Sequence, residues 1–322
     1  MNELRPTERT YYCLILIFGF TMVARGQSTL SDKYYQLGWD NDVFMMTDYY
    51  YTQGINFTTY HPFFRHNPLN LVLIKPKRYT HLVNGFSASQ KTYTPKDIKS
   101  NEIQYADRPY AGVLTFTSHV RVANADKGWL FNSSLDVGVM GPASGAGQVQ
   151  YKYHEITENP LPNGWHYQQY NWPVLNYNFE GIRQVYQSSF MDVYAKGGFR
   201  AGSLHNDAAV GFLLRMGKRN DYLENLGLPF LQSSNHWQLV FSTEPTVSVV
   251  AYNATLMGGW HRNPKIHYVE FAEMNKIVGR VRTSIGLNYQ AFGLLFDLIY
   301  QTKEFNGGTY HWYTSAKMVF IF

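Results

Sequence analysis

Two stretches of this sequence carry residue types, at spacings, that can do chemistry. The first is Trp39-Asp40-Asn41-Asp42, followed by Thr47-Asp48 and by Tyr51-Thr52-Gln53-Gly54. Its three carboxylates and its amide are hard oxygen donors, able to hold a hard cation. The same residues also suit a polar hairpin tip, where Asn and Asp hydrogen-bond their own backbone. The second stretch runs from Gly141-Pro142 to His154. Its small residues let the backbone bend and expose N–H groups. His154 follows on what reads as a short helix, and a histidine can act as a general base near neutral pH. Gln150, His154 and Glu158 are spaced i, i+4, i+8, which puts them on one helical face. Of the eleven histidines, His61, His236, His261 and His311 fall at strand ends or on polar strand faces and read as rim or interior residues. No Gly-x-Ser-x-Gly elbow is present, so a serine nucleophile of that kind is not offered.

Strands must position these residues. In Tyr310–Phe322 one face carries Trp312, Ala316, Met318 and Phe320 while the other carries His311, Ser315 and Lys317. That is the period of two of a strand with one face in lipid. Similar segments run over Lys33–Phe44, Tyr51–His61, Tyr79–Tyr93, Tyr110–Val122, Trp129–Met140 and Trp172–Ser188. They continue over Met191–Leu204, Asp207–Lys218, His236–Asn253, Met274–Gln290 and Ala291–Phe305. Twelve is an even number, as a bacterial single-chain barrel requires. Turn signals separate many of them, among them Asn124 to Gly128, Asn206-Asp207 and Asn306-Gly307-Gly308. The expected fold is all-β, a twelve-stranded antiparallel transmembrane β-barrel with a short helical rim segment near 143–162.

Composition agrees with this and excludes other classes. Charged residues are 16% and aromatics 17% of the 322 residues, against roughly 25% charge in an ordinary soluble domain. Mean hydropathy is −0.32, too polar for a bundle of apolar membrane helices. A single cysteine rules out a disulfide scaffold or a cysteine zinc site. A net charge of +5 without a basic block leaves no footprint for nucleic acid. A soluble β-sandwich would explain the alternation but not the aromatic excess. At the N-terminus Arg5 and Arg9 precede the apolar run Tyr11–Val23, and Ala24-Arg25-Gly26 follows. This predicts a secretory signal peptide over 1–26 and a barrel over 27–322.

Taken together, the motifs resemble the outer-membrane lipid A 3-O-deacylases. The resemblance rests on Asn41-Asp42, Thr47 to Gly54, Asp107-Arg108-Pro109-Tyr110-Ala111-Gly112, the Gly141 to His154 run and Gly164-Trp165 to Gln168. Phe322, closing an amphipathic strand, resembles a signal read by the barrel assembly machinery. The resemblance implies hydrolysis of the 3-position ester-linked acyloxyacyl chain of lipid A, within lipopolysaccharide, at the outer membrane. It implies Ca2+ as cofactor, His154 as general base, and Asn41, Thr52 and Gln150 as further catalytic residues. It ties Asp42 and Gly54 to the metal. The lysine that completes the family's site is open between Lys96, Lys99 and neither, and the acidic residue is Glu155, Glu158 or absent. A non-catalytic barrel, a porin or assembly component, and a barrel phospholipase are the alternatives.

Overall fold

The computed structural model describes residues 33–42, 49–232, 234–260 and 265–322. The expected signal peptide, Thr47-Asp48 and His261 lie outside the described residues. Within these, twelve strands form one closed antiparallel sheet in chain order. They are β1 (Tyr34–Asn41), β2 (Tyr50–Tyr60), β3 (His81–Thr94), β4 (Ala111–Asn124), β5 (Trp129–Met140) and β6 (Trp172–Gln187). The other six are β7 (Met191–Gly202), β8 (His205–Lys218), β9 (Ser234–Asn253), β10 (Ile277–Gln290), β11 (Phe292–Gln301) and β12 (His311–Ile321). Each expected segment holds one strand, displaced at its ends by a few residues. The reversal expected at Asn206-Asp207 instead falls at Ser203-Leu204. Asn206 belongs to β8, and its amide bridges the turn by bonding both the N–H and the carbonyl of Gly202 at 2.9 Å. A side chain that mimics backbone gives the same sequence signal two residues away from the turn itself.

The sheet is polar inside and apolar outside. Leu37, Ile55, Phe212, Val249, Ile285 and Phe296 are exposed on the outer wall. The lumen holds ion pairs: Lys196 lies 3.0 Å from Glu180 and 2.9 Å from Glu244, and Lys317 lies 2.5 Å from Asp297. Closure of β1 on β12, from Tyr34–Ile321 to Asn41–Thr314, leaves no open edge, as a sheet in hydrocarbon must. Aromatic contacts gather near both ends of the wall. Trp237 stacks on Tyr289 at 4.8 Å at one end, and Trp312 meets Tyr300 at 4.7 Å at the other. These are the interfacial girdles of a membrane barrel.

The two ends differ. The one where β1 begins and β12 ends has short turns at 125–128, 188–190 and 291, and is the periplasmic end by the loop-length asymmetry of such barrels. Two longer connections also lie there. Residues 61–80 fold back along the outer wall. Residues 219–232 turn into the lumen, where Leu223, Leu226, Leu228, Phe230 and Leu231 form a buried apolar plug with Tyr34, Tyr60 and Ile321. The Arg121 guanidinium fixes the plug through the Leu226 carbonyl at 3.1 Å. The opposite, extracellular end carries the long loops 95–110, 141–171 and 254–276. Arg108 is buried there, ion-paired with Glu304, bonded to Thr255 at 2.6 Å and lying 4.4 Å from the Tyr93 ring centre. One guanidinium thereby ties the 95–110 and 254–276 loops to the 302–310 connection between β11 and β12.

Candidate active site

The site begins with a break in alternation. On β1 Asp40 points into the lumen, where its Oδ2 accepts the Tyr51 hydroxyl at 2.6 Å. The period of two then turns Asn41 outward. The expected oxygen cluster Asp40–Asn41–Asp42 is therefore split between the two faces of the wall. On β2 the register with β3 jumps between Tyr51 and Gln53, a one-residue bulge at Thr52. Tyr51 faces the lumen, the bulge absorbs one residue, and Thr52 and Gln53 both line the outer groove. Gly54 returns to the inward phase: a Cβ there would strike the Tyr51 hydroxyl and approach Asp40. Gly54 thus keeps room for the Tyr51–Asp40 bond and lies behind the groove, two residues from Thr52. Asp42, 1% exposed, follows β1 directly and accepts the Tyr49 backbone N–H at 3.0 Å. Burial, and after it the charge of Asp42, raises the Tyr49 phenol above its ordinary value and keeps it neutral.

The second wall is the rim helix Ala146–Ile156. Gly145, at φ 71°, opens it in a left-handed conformation that glycine adopts without strain. The helix lies outside the sheet. The Ser144 carbonyl just before it accepts from Gln90 at 2.7 Å, and Gly147 comes so close to Trp165 that a Cβ would sit 2.8 Å from the indole. Its buried residues are Ala146, Gly147, Gln150 and His154, one face by helical spacing. Glu158 does not share that face. The helix has ended, and Glu158 is exposed at φ 56°. Glu155 is also exposed and pairs with Lys152. Neither carboxylate reaches the histidine in this way, and the group that does is a backbone carbonyl. His154 Nδ1 lies 2.6 Å from the oxygen of Pro160. A carbonyl only accepts, so Nδ1 carries a proton, and in the neutral ring Nε2 is the acceptor nitrogen.

Gln150 is oriented by the same logic. Trp165 Nε1–H, which only donates, lies 2.8 Å from Gln150 Oε1. The amide NH2 therefore turns toward Thr52, 3.4 Å from its hydroxyl. The groove so formed has an open volume of about 1160 Å³ and is lined by Asn41, Asp42, Thr52, Gln53, Gln150 and His154, with Lys96 and Lys99 at its edge. Both lysines are exposed, and the Lys96 ammonium lies 5.7 Å from the Tyr50 ring centre. Further cavities lie in the lumen, on the far side of the strands and among the ion pairs.

The Asp107 to Gly112 motif holds this groove together. Asp107 Oδ2 takes the Lys96 backbone N–H at 2.7 Å, and the Tyr110 hydroxyl bonds the Ile98 carbonyl at 3.2 Å. Tyr110 also packs 5.0 Å from Trp165. Trp165 as the residue that orients Gln150, and the Pro160 carbonyl, escaped the sequence reading. The Gly164-Trp165 pair was a visible signal; a backbone carbonyl has none. For a cation, no group of three or more His, Cys, Asp or Glu side chains is found among the described residues. The donors are one buried carboxylate, Asp42, and the neutral oxygens of Asn41 and Thr52. That set is hard and fits a calcium ion held loosely, with positions left for water and substrate, rather than a closed structural cage.

Comparison with known proteins follows the same lines. The family model described as "Outer membrane protein LpxR" matches residues 12–322. No curated protein matches the chain in sequence. Among solved structures, LpxR from Salmonella typhimurium superposes with a TM-score of 0.70 at 18% identity, covering 90% of this chain and 100% of that one. The β domain of the Bordetella autotransporter BrkA reaches a TM-score of 0.41 at 9% identity, over 91% of this chain and 100% of that one. The translocator domain of NalP from Neisseria meningitidis reaches 0.39 at 8% identity, over 98% and 96%. The last two are too loosely superposed to carry an argument, and the first, at its identity, speaks for the fold. A family match over nearly the whole sequence, on a closed twelve-stranded barrel, makes this chain a member of the outer membrane protein LpxR family.

Proposed function

We propose that the groove beside His154 hydrolyses the 3-position ester-linked acyloxyacyl chain of lipid A. The observation that carries this reading is the His154–Pro160 bond, which holds the ring beside a groove on the outer wall and makes Nε2 the proton acceptor of the neutral imidazole. The groove lies at the extracellular end, where a lipid of the outer leaflet meets it sideways without leaving the membrane. In this reading water stands between His154 Nε2 and the ester carbonyl carbon. Nε2 takes the water proton as the new C–O bond forms, and later returns it to the departing alkoxide. The Gln150 NH2, held by Trp165, points into the groove where a developing oxyanion needs donors. Asn41 and Thr52 line the other side. Lys96 and Lys99 offer positive charge at the edge to an anionic headgroup.

Calcium would be held by Asp42 with Asn41 and Thr52, and when bound it would polarise the ester carbonyl. Gly54 serves that set indirectly, through the room it gives Tyr51 behind the bulge. A porin reading meets a lumen capped by Arg108 and filled by the 219–232 plug. The deciding experiment is mass spectrometry of lipid A from outer membranes with and without the protein. Loss of one acyloxyacyl unit supports the proposal. Loss of acyl chains from glycerophospholipid alone would replace lipid A by phospholipid as substrate, and unchanged lipids in the presence of calcium would refute hydrolysis.

A further inference from the structure

The 61–80 connection breaks the pattern of the wall it covers. On β4, β5 and β6 the outward positions Ser118, Ser133 and Tyr177 bring hydroxyls to a surface that should be apolar in lipid. All three hydroxyls are spent on this connection. Asn67 donates to Ser118 at 3.1 Å, and Ser118 donates to Asn70 at 3.3 Å. The Ile74 backbone N–H bonds Ser133 at 3.0 Å and Tyr177 at 2.9 Å. The Asn70 amide also satisfies the Phe64 carbonyl at 2.8 Å. Leu73 is buried on Val120 and Val122, and Phe64 stacks on Phe86 at 5.9 Å. Irregular backbone survives at hydrocarbon depth only when protein groups satisfy it, and here the Phe64 carbonyl and the Ile74 N–H are met in this way. The apolar side chains left over point away from the barrel: Phe63 is 71% and Leu71 86% exposed.

Two exposed basic residues, Arg65 and His66, follow Phe63 and bond each other at 2.9 Å, and the rest of the basic charge comes later. The chain then descends to Thr80, whose N–H bonds the Ala123 carbonyl at the periplasmic end of β4 at 2.9 Å. Along that descent come Lys75, Lys77 and Arg78, all exposed, with no acidic residue anywhere in 61–94. Apolar side chains at acyl depth with a basic cluster at the membrane–water boundary match an anionic lipid: tails against Phe63 and Leu71, headgroup against the cations.

We infer that residues 61–80 form a collar that binds anionic phospholipid of the periplasmic leaflet, at the end of the barrel opposite the His154 groove. The test reconstitutes the full-length protein in vesicles of phosphatidylethanolamine and phosphatidylglycerol at a fixed ratio, and counts the lipids retained per barrel after extraction. Each basic residue near an anionic surface is worth roughly fivefold in binding. Phosphatidylglycerol is therefore expected to be enriched at least about fivefold over the bulk ratio. Lys75→Gln/Lys77→Gln/Arg78→Gln should bring it down to bulk while the barrel keeps its heat-modifiable migration. A bulk ratio in the wild type, or wild-type enrichment in the triple variant, overturns the proposal. A second measurement does not depend on the charges: a nitroxide on Leu71→Cys should collide with dissolved oxygen and not with a water-soluble nickel chelate. Preferential collision with the chelate places the collar in water and also overturns it.

Discussion

The Trp165 indole donates the shorter of the hydrogen bonds that orient Gln150, so Trp165→Phe is a sharp perturbation of the groove. Phenylalanine keeps an aromatic ring against Gly147 and Tyr110 but removes the indole N–H that lies 2.8 Å from Gln150 Oε1. Gln150 is 1% exposed, so no bulk water replaces the lost donor. Leaving a buried acceptor without its partner costs about 1–3 kcal/mol. If that cost falls on the transition state, kcat/KM for lipid A deacylation in mixed micelles drops roughly 5- to 150-fold. Thermal migration of the barrel should change little, since the pair lies on the rim outside the ladder. Trp165 acts through Gln150 on this account, so the two changes must not add. Gln150→Leu alone removes the amide, and Trp165→Phe/Gln150→Leu should be no slower than Gln150→Leu. Full turnover in Trp165→Phe, or additive losses in the double variant, would refute the idea that the indole works by aiming the amide.

Four further outcomes follow from named contacts. His154→Gln and His154→Ala should each lose at least about 100-fold in rate with membrane insertion unchanged, and near-normal turnover in the Gln variant would end the general-base role. Chelation of calcium should abolish hydrolysis reversibly, and Asp42→Asn should raise the calcium concentration needed for half-maximal rate; full activity in excess chelator would exclude the ion. Arg108→Gln removes a buried partner from Glu304 and from Thr255, which should cost about 3–5 kcal/mol, read as a lower temperature for the folded-to-unfolded gel shift. In planar bilayers the intact barrel should pass no steady current; a current through the intact protein would contradict the plug.

The wall of the barrel was legible because its physics is periodic. Alternation in segments such as Tyr310–Phe322 follows directly from lipid on one side and a polar lumen on the other. The rim helix was legible too, at Gln150 and His154, since their i, i+4 spacing survives in the structure. What escaped is aperiodic. A bulge at Thr52 needs only one extra residue and has no composition of its own, yet it decides that Thr52 and Gln53 share a face and that Gly54 does not. Asp40 and Asn41 look equivalent in sequence and stand on opposite sides of a sheet. The plug at 219–232 and the collar at 61–80 are irregular segments whose partners are distant parts of the wall. Pro160 contributes through a carbonyl, which every residue has.

The plug also bears on how the barrel closes. Its apolar cluster joins Leu223 and Leu226, in the second half of the chain, to Tyr34 on the first strand and to Val319 and Ile321 on the last. Pairing Tyr34 with Ile321 directly requires a loop of roughly 290 residues to close in a single step, with the loop-closure entropy that such a length carries. An intermediate in which the plug has already gathered both ends divides that search into two shorter ones. The seam between β1 and β12 then zips between strands that are already neighbours. On this view the plug is a clasp as well as a stopper: shortening it should slow the final closure of the barrel more than it lowers the stability of the closed sheet.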